Sequence, residues 1–109
     1  MPIEKWSDDV SVLHLSDDPL FTDDLDALEH TPGQAHKIVL DFAAVHFINS
    51  SNIAKLLRLR KRLVSQEGRL IMSNVGTQVW STFLVTGLDK VFAFSENVTT
   101  ALMQIGADA

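Results

Sequence analysis

At 109 residues, the chain has the usual length of one domain. It contains 46% hydrophobic and 21% charged residues, which is typical of a folded protein and not of a disordered one. The lack of cysteine excludes disulfides, thiolate metal sites and a cysteine nucleophile, and the net charge of −5 argues against general nucleic-acid binding. We therefore predict a single domain over residues 1–109.

Charge and hydropathy also bear on location. No apolar run approaches the roughly 20 residues that span a bilayer, and residues 1–9 carry acids in place of the apolar segment of a secretory signal. These features predict no membrane insertion and a cytoplasmic protein. Residues 1–41 contain ten acids and two bases, whereas residues 55–62 contain five bases and no acid. The sequence thus predicts an acidic N-terminal half and one basic helix face.

The beginning of the chain predicts a β-hairpin followed by a short helix. Residues 3–6 and 10–15 are rich in strand-forming side chains, and residues 7–9 supply the turn between them. Thr22 is in the position of a helix N-cap, because three acids fill the following turn and suit the positive end of the helix dipole.

From residue 37 onwards, strands and helices alternate. We predict strands at 37–42, 69–73 and 90–94, and helices at 51–66, at 78–86 and from Val98 to Ile105. Gly68 is expected to end the helix at 51–66, and Gly87 is expected to end the helix at 78–86. Tight strand–helix–strand connections are right-handed and make parallel pairs. The fold class is therefore α/β, a mixed sheet with a parallel core and an antiparallel N-terminal edge, with about four or five strands and about four helices.

The residues with the clearest chemistry are Asn49, Ser50, Ser51 and Asn52, where the strand 37–42 leads into the helix 51–66. Asn and Ser are strong N-cap residues, since their side-chain oxygens accept bonds from the unpaired N–H groups of the first turn. The same free donors and the helix dipole favour a phosphate or another anion. The Ser50 hydroxyl is thus either a helix cap or a modification site, and Ser51 is the alternative acceptor.

Three patterns resemble the STAS domain, the fold of bacterial anti-sigma factor antagonists. In the first, the apolar strand 38–42 is followed by residues 45–52, similar to the family's strand, Asp, Val, Phe and then Asp-Ser-Ser-Gly at a helix start. The second is the basic and apolar stretch 56–63, which runs into Gly-Arg-Leu at 68–70. The third is residues 79–92, with Thr-Gly-Leu-Asp and an aromatic ending. The resemblance covers about residues 10–105.

This resemblance implies a non-enzymatic signalling regulator. In antagonists of the family, the serine after the aspartate is phosphorylated by a partner that is both an anti-sigma factor and a serine kinase of the GHKL type; by position that serine is Ser50. The implied mechanism is that the phosphate's charge and bulk block docking of the partner, with no need to unfold the domain. No cofactor is implied. The expected partner contacts are Asn49, Ser50, Ser51, Asn52, Lys55 and Arg58.

The chain departs from the family pattern at two positions. Asn49 stands where aspartate is usual, so a carboxylate that orients the serine hydroxyl is missing. Asn52 stands where glycine is usual, which adds a side chain where a partner would approach. Asp41, at the end of its strand, is either a solvated loop acid, which we favour, or a helper in the site. The basic run from Lys55 is either the solvated face of an amphipathic helix or a docking surface for an acidic partner.

Other functions have weaker signals. The histidines do not share metal-ligand spacing, so no metal site is predicted; they are His14, His30, His36 and His46. Glycine-rich phosphate loops and the Gly-x-Ser-x-Gly elbow are missing from the sequence, which argues against the enzymes that use them. Trp80 and Phe83 are expected in the core. Two alternatives remain: a constitutive scaffold or adaptor of a signalling complex or transporter ATPase, and a module that binds a nucleotide or another anion at the helix start.

Overall fold

The computed structural model describes residues 3–29 and 35–106, which form a five-stranded sheet whose strands lie side by side in chain order. The first two strands pair antiparallel and every later pair is parallel. This confirms the predicted mixed α/β sheet with an antiparallel N-terminal edge. The strands are β1 (Ile3–Lys5), β2 (Val10–Ser16), β3 (Lys37–Ala44), β4 (Arg69–Ser73) and β5 (Ala93–Ser95).

Within the described ranges, four α-helices cover the two faces of this sheet. Three of them pack into the larger hydrophobic core on one face, and the last packs into a smaller core on the other. The helices are α1 (Leu20–Glu29), α2 (Ser50–Ser65), α3 (Thr77–Thr86) and α4 (Val98–Gly106). Because α4 has nine residues and the sheet has five strands, the described residues leave part of the second face uncovered.

The central strand β3 shows how the sequence makes two cores. Ile38, Leu40 and Phe42 point into the larger core, whereas Val39 points into the smaller one, as strand alternation requires. Phe42 is fully buried, and its ring meets Phe21 of α1 edge-to-face with 6.0 Å between centroids. The nearly continuous apolar run therefore belongs to a strand covered on both faces, as predicted.

The predicted strand at 90–94 is wrong in its position. Gly87 ends α3 in the left-handed conformation (φ 75°), and Leu88–Lys90 then forms a 3-10 turn. The Leu88 carbonyl accepts bonds from the N–H groups of Val91 and Phe92, so the helical turn uses the donors that a strand would need. The sheet resumes only at β5. Phe92 is still buried in the larger core.

The predicted helix starts also need correction. Helix α1 begins at Leu20, and Thr22 is not its cap, because the N–H and hydroxyl of Thr22 both donate to the Asp18 carboxylate, at 3.0 and 2.8 Å. Helix α2 begins one residue earlier than predicted. Phe83 is buried and Trp80 packs against the larger core, as predicted.

Candidate functional site

The candidate site lies at the carboxyl ends of the parallel strands, where the β2–α1 loop (residues 17–19) meets the β3–α2 loop (residues 45–49). In open α/β sheets this edge is where ligands usually bind. Helix α2 begins at this edge of the sheet, directly after the β3–α2 loop. The four polar residues at its start therefore lie here; they are Asn49, Ser50, Ser51 and Asn52.

A reciprocal capping box fixes the start of α2. The side-chain oxygen of Asn49 accepts a bond from the Asn52 N–H at 2.8 Å, and the Asn52 side-chain oxygen accepts one from the Asn49 N–H at 3.1 Å. Two unpaired donors are thereby satisfied. Asn49 is the N-cap, so the interpretation of Ser50 as the cap is wrong: Ser50 is the first residue of the helix.

Asp18 joins this cap to the neighbouring loop. One oxygen of its carboxylate accepts bonds from the side-chain amides of Asn49 and Asn52, at 3.1 and 3.0 Å. The other oxygen accepts the two bonds from Thr22. The bonds from Asn52 and then Thr22 hold the pKa of Asp18 below its ordinary value, so the group is charged at neutral pH. A carboxylate is thus present beside the helix start, although residue 49 does not supply it.

The Asn52 side chain does not lie on the surface, although its position in place of the family's glycine suggested that it would. Its side chain turns inward to Asn49 and Asp18, and the residue is 2% exposed. The predicted partner contact of Asn52 stays a prediction, and its 2% exposure leaves little of its side chain accessible to a partner. Asn52 holds the loop in place and leaves the outer surface of this turn to its neighbours.

The two serines are exposed, as is the N-cap residue Asn49. Within the described part of the chain, neither hydroxyl makes a hydrogen bond, and the N–H groups of Ser50 and Ser51 have no acceptor. These two donors are what remains of the unpaired first turn once the capping box has formed. The helix start therefore presents hydroxyls and free donors together on a rigid frame.

Asp17 makes a second connection between the loops. Its carboxylate accepts bonds from the N–H and the ring Nδ1 of His46, at 2.8 and 2.7 Å, and these bonds lower the pKa of Asp17. The next residue, Phe47, is 63% exposed, and Leu20 at the start of α1 is 54% exposed. Local sequence patterns do not identify these two apolar side chains as surface residues, although an aromatic three residues before Ser50 is an available signal.

The two bases predicted to contact a partner lie between α1 and α2. The Lys55 ammonium is 2.6 Å from the Asp26 carboxylate, and its side chain is 21% exposed. Arg58 is 3.9 Å from Glu29 and is 61% exposed. Lys55 thus pairs α2 with α1, whereas Arg58 presents most of its surface outward.

Asp41 is not the solvated loop acid that was expected. It lies inside β3, its side chain is 14% exposed, and its carboxylate accepts bonds from the Asn74 side chain, the Ala43 N–H and His14. Strand alternation places it beside His14 in the neighbouring strand, which an analysis of β3 alone misses.

Residues 3–29 and 35–106 contain no group of three or more His, Asp or Glu side chains arranged to hold a metal ion. His30 lies outside the described residues. Within the same ranges, no helix has the length and apolar character needed to cross a membrane.

An α/β sheet of this order, with a capped and serine-bearing helix start at its carboxyl edge, defines the class of STAS-type domains. The sequence matches the STAS domain family over residues 3–101, and the chain belongs to that family. No curated protein sequence gives a significant match.

Solved structures share the fold. An anti-sigma factor antagonist from Mycobacterium paratuberculosis is similar with a TM-score of 0.77 and 23% identity, over 94% of this chain and 90% of that one. A serine-to-glutamate variant of RsbS from Moorella thermoacetica has a TM-score of 0.77 and 18% identity, over 98% of this chain and 97% of that one. Phosphorylated SpoIIAA, a Bacillus cell fate determinant, has a TM-score of 0.67 and 19% identity, over 85% of this chain and 88% of that one.

Proposed function

We propose that this protein is a regulator resembling the anti-sigma factor antagonists, and that it binds an anti-sigma factor with GHKL-type serine kinase activity through the start of α2. Such a partner would be met in the bacterial cytoplasm. The observation that carries the proposal is the Ser50 hydroxyl, which is exposed and unbonded among the described residues, on a helix start that Asn49, Asn52 and Asp18 hold rigid. A kinase can reach this hydroxyl without unfolding the domain.

A phosphate on Ser50 would change the charge of the surface more than its shape. It brings about −1.5 to −2 charges and three acceptor oxygens, and the free N–H groups of the first turn are donors of the kind that bind it. The carboxylates of Asp17 and Asp18 already make this edge negative. We therefore expect the phosphate to act on the partner, by repulsion and bulk, while the cap stays intact.

Phosphorylation is the first measurement. Incubating the protein with candidate GHKL-type kinases of the same organism and Mg-ATP should raise its intact mass by one phosphate, located on Ser50 by peptide mapping. Ser50→Ala should abolish the modification, and Ser51→Ala, a matched change one residue away, should retain it. Retention of the phosphate in Ser50→Ala, or its loss in Ser51→Ala, would contradict the assignment.

Binding is the second part of the same test. Ser50→Asp and the phosphoprotein should both bind the partner more weakly than wild type, with an unchanged circular dichroism spectrum. Equal affinity of all three forms would overturn the switch.

Phe47 should be an anchor of the partner surface. Exposed aromatic side chains dominate interface energies when a partner covers them. Phe47→Ala is therefore expected to weaken partner binding by about 2 kcal/mol, roughly a thirtyfold loss, and to change the free energy of unfolding by less than about 0.5 kcal/mol. Calorimetric titration of the partner checks this. Val85→Ala is the control, because Val85 is 88% exposed but lies on α3, away from the β3–α2 loop; a similar loss there would contradict the assignment of the surface.

One observation favours a second candidate. The two departures from the family pattern, Asn49 and Asn52, bond to each other and to Asp18 and so fix the loop without any phosphate, which suits a constitutive scaffold or adaptor. A protein that accepts no phosphate and elutes from size exclusion in a large assembly with its partner would support this function over the first.

A further inference from the structure

A cluster of titratable side chains lies on the sheet face that α4 leaves partly uncovered. His14 of β2 is directly opposite Asp41 of β3 in the parallel register. Glu4 of the edge strand β1 reaches the same histidine from the other side. The three side chains therefore connect three neighbouring strands through one imidazole ring, away from the helix-covered core.

Both ring nitrogens of His14 have a carboxylate partner. Nδ1 is 2.7 Å from Asp41, and Nε2 is 3.0 Å from Glu4. A neutral imidazole has only one N–H, whereas the imidazolium has two. Two carboxylates can be satisfied at once only by the charged ring. The geometry is therefore that of a protonated histidine.

The other groups around His14 do not oppose this assignment. Helix α4, which covers the adjacent part of the face, has no charged side chain. Lys37, on the same face of β3, is paired with Val10 at the far end of β2, and Lys5 of β1 is paired with Ser11. The bonds to Glu4 and then Asp41 raise the pKa of His14 against the opposing effect of its partial burial. Burial by itself raises the pKa of Asp41, but the bonds from Asn74, the Ala43 N–H and His14 outweigh it and lower that pKa.

We propose that His14 is a proton-dependent latch that fastens the edge strand β1 to the sheet through Glu4. On losing its proton, the ring keeps one N–H. It stays with Asp41, whose side chain is 14% exposed, because a carboxylate shielded from water loses more when its donor leaves. The bond to Glu4, which is 59% exposed and can turn to solvent, is released.

The latch is expected to loosen β1 without unfolding the domain. Strand β1 has three residues, and besides the latch it is held by its pairing with β2 and by Ile3, which packs against the larger core. A group whose pKa is raised on folding stabilises the folded state fully at pH values below its ordinary pKa. That contribution is lost as the pH rises through the pKa that the group has in the folded protein. The fastening is therefore complete below the ordinary pKa of 6.5 and is lost as the pH rises through the higher pKa of the folded protein.

Nuclear magnetic resonance of the full chain tests this directly. The His14 ring should titrate with a midpoint above the ordinary 6.5, and the amide signals of Ile3–Lys5 should shift with the same midpoint. Over that range, protection of these amides, corrected for intrinsic exchange, should fall roughly two- to tenfold, as expected for one exposed hydrogen bond. Glu4→Gln should lower the midpoint and give the lower protection already at acidic pH.

The control is Asp8→Asn, which removes one negative charge from the same hairpin without touching the ring; its only described ion pair is an exposed one to Lys5 at 3.7 Å. It should leave the midpoint and the β1 protection unchanged. A His14 midpoint at or below 6.5, β1 amides that do not follow the ring, or equal effects of Glu4→Gln and Asp8→Asn would overturn the latch.

Discussion

Replacing Gly68 by alanine is expected to lower the free energy of unfolding by about 3 kcal/mol, because the new methyl group has no room. A Cβ at this position would lie 2.0 Å from the His36 carbonyl oxygen and 3.1 Å from the Leu63 carbonyl oxygen. Both neighbours are backbone atoms, so no side chain can turn away. The chain cannot move apart here without losing the bonds from Gly68 N–H to Leu63 and from Arg69 N–H to His36, at 2.7 and 2.9 Å.

Urea unfolding followed by circular dichroism measures this effect. Gly106→Ala is the matched control, since an added Cβ meets nothing within 4 Å at the end of α4, and alanine is at least as good a helix former, so the change should stay within about 1 kcal/mol. If Gly68→Ala unfolded at the wild-type midpoint, the close approach of the His36 backbone to the α2–β4 turn would be wrong.

Gly68 also shows what a local sequence signal can and cannot predict. A glycine after a helix indicates a left-handed cap, and the helix does end there, but Glu67 carries the positive φ of 58°. The requirement for glycine comes from His36, which is 32 residues away along the chain. Local patterns identify the end of the element, whereas the reason for the residue lies in a long-range contact.

The same distinction applies to the sheet and the site. The strands β2 to β4 and the helices between them have strong periodicity, and the sequence predicts them within a few residues. Strand β5 was misplaced because a 3-10 turn, bonded to Leu88, uses residues that look strand-like. The serine-bearing helix start was found from local capping chemistry, but its connection to Asp18 was not, since that residue belongs to another loop 31 positions before Asn49.

Asp18→Ala is expected to destabilise the protein by about 2 kcal/mol. Water replaces the carboxylate easily at the exposed donors of Thr22 and Asn49, so those bonds contribute little. Asn52 decides the magnitude, because this residue is 2% exposed and its amide would be left with only the weak contact to Thr22 at 3.4 Å. An unsatisfied buried donor costs more than an exposed bond gains.

Thermal or urea unfolding at pH 7 measures the loss. Asp23→Ala, which removes an exposed acid from the first turn of α1, should cost no more than about 0.5 kcal/mol.

The pH dependence separates the lost carboxylate from general damage to the loop. The pKa of Asp18 is lowered on folding, so its contribution is present above the unfolded pKa of about 3.9 and is lost as pH falls through the folded value. The difference in unfolding free energy between wild type and Asp18→Ala should therefore be complete at pH 7 and shrink as the pH falls below about 4. A difference that stayed constant over this range would mean that the ionised carboxylate does not hold Asn49 and Asn52. The rigidity proposed for the helix start that carries Ser50 would then need another cause. Because the protein is tested here without its partner, this result is independent of whether Ser50 is phosphorylated.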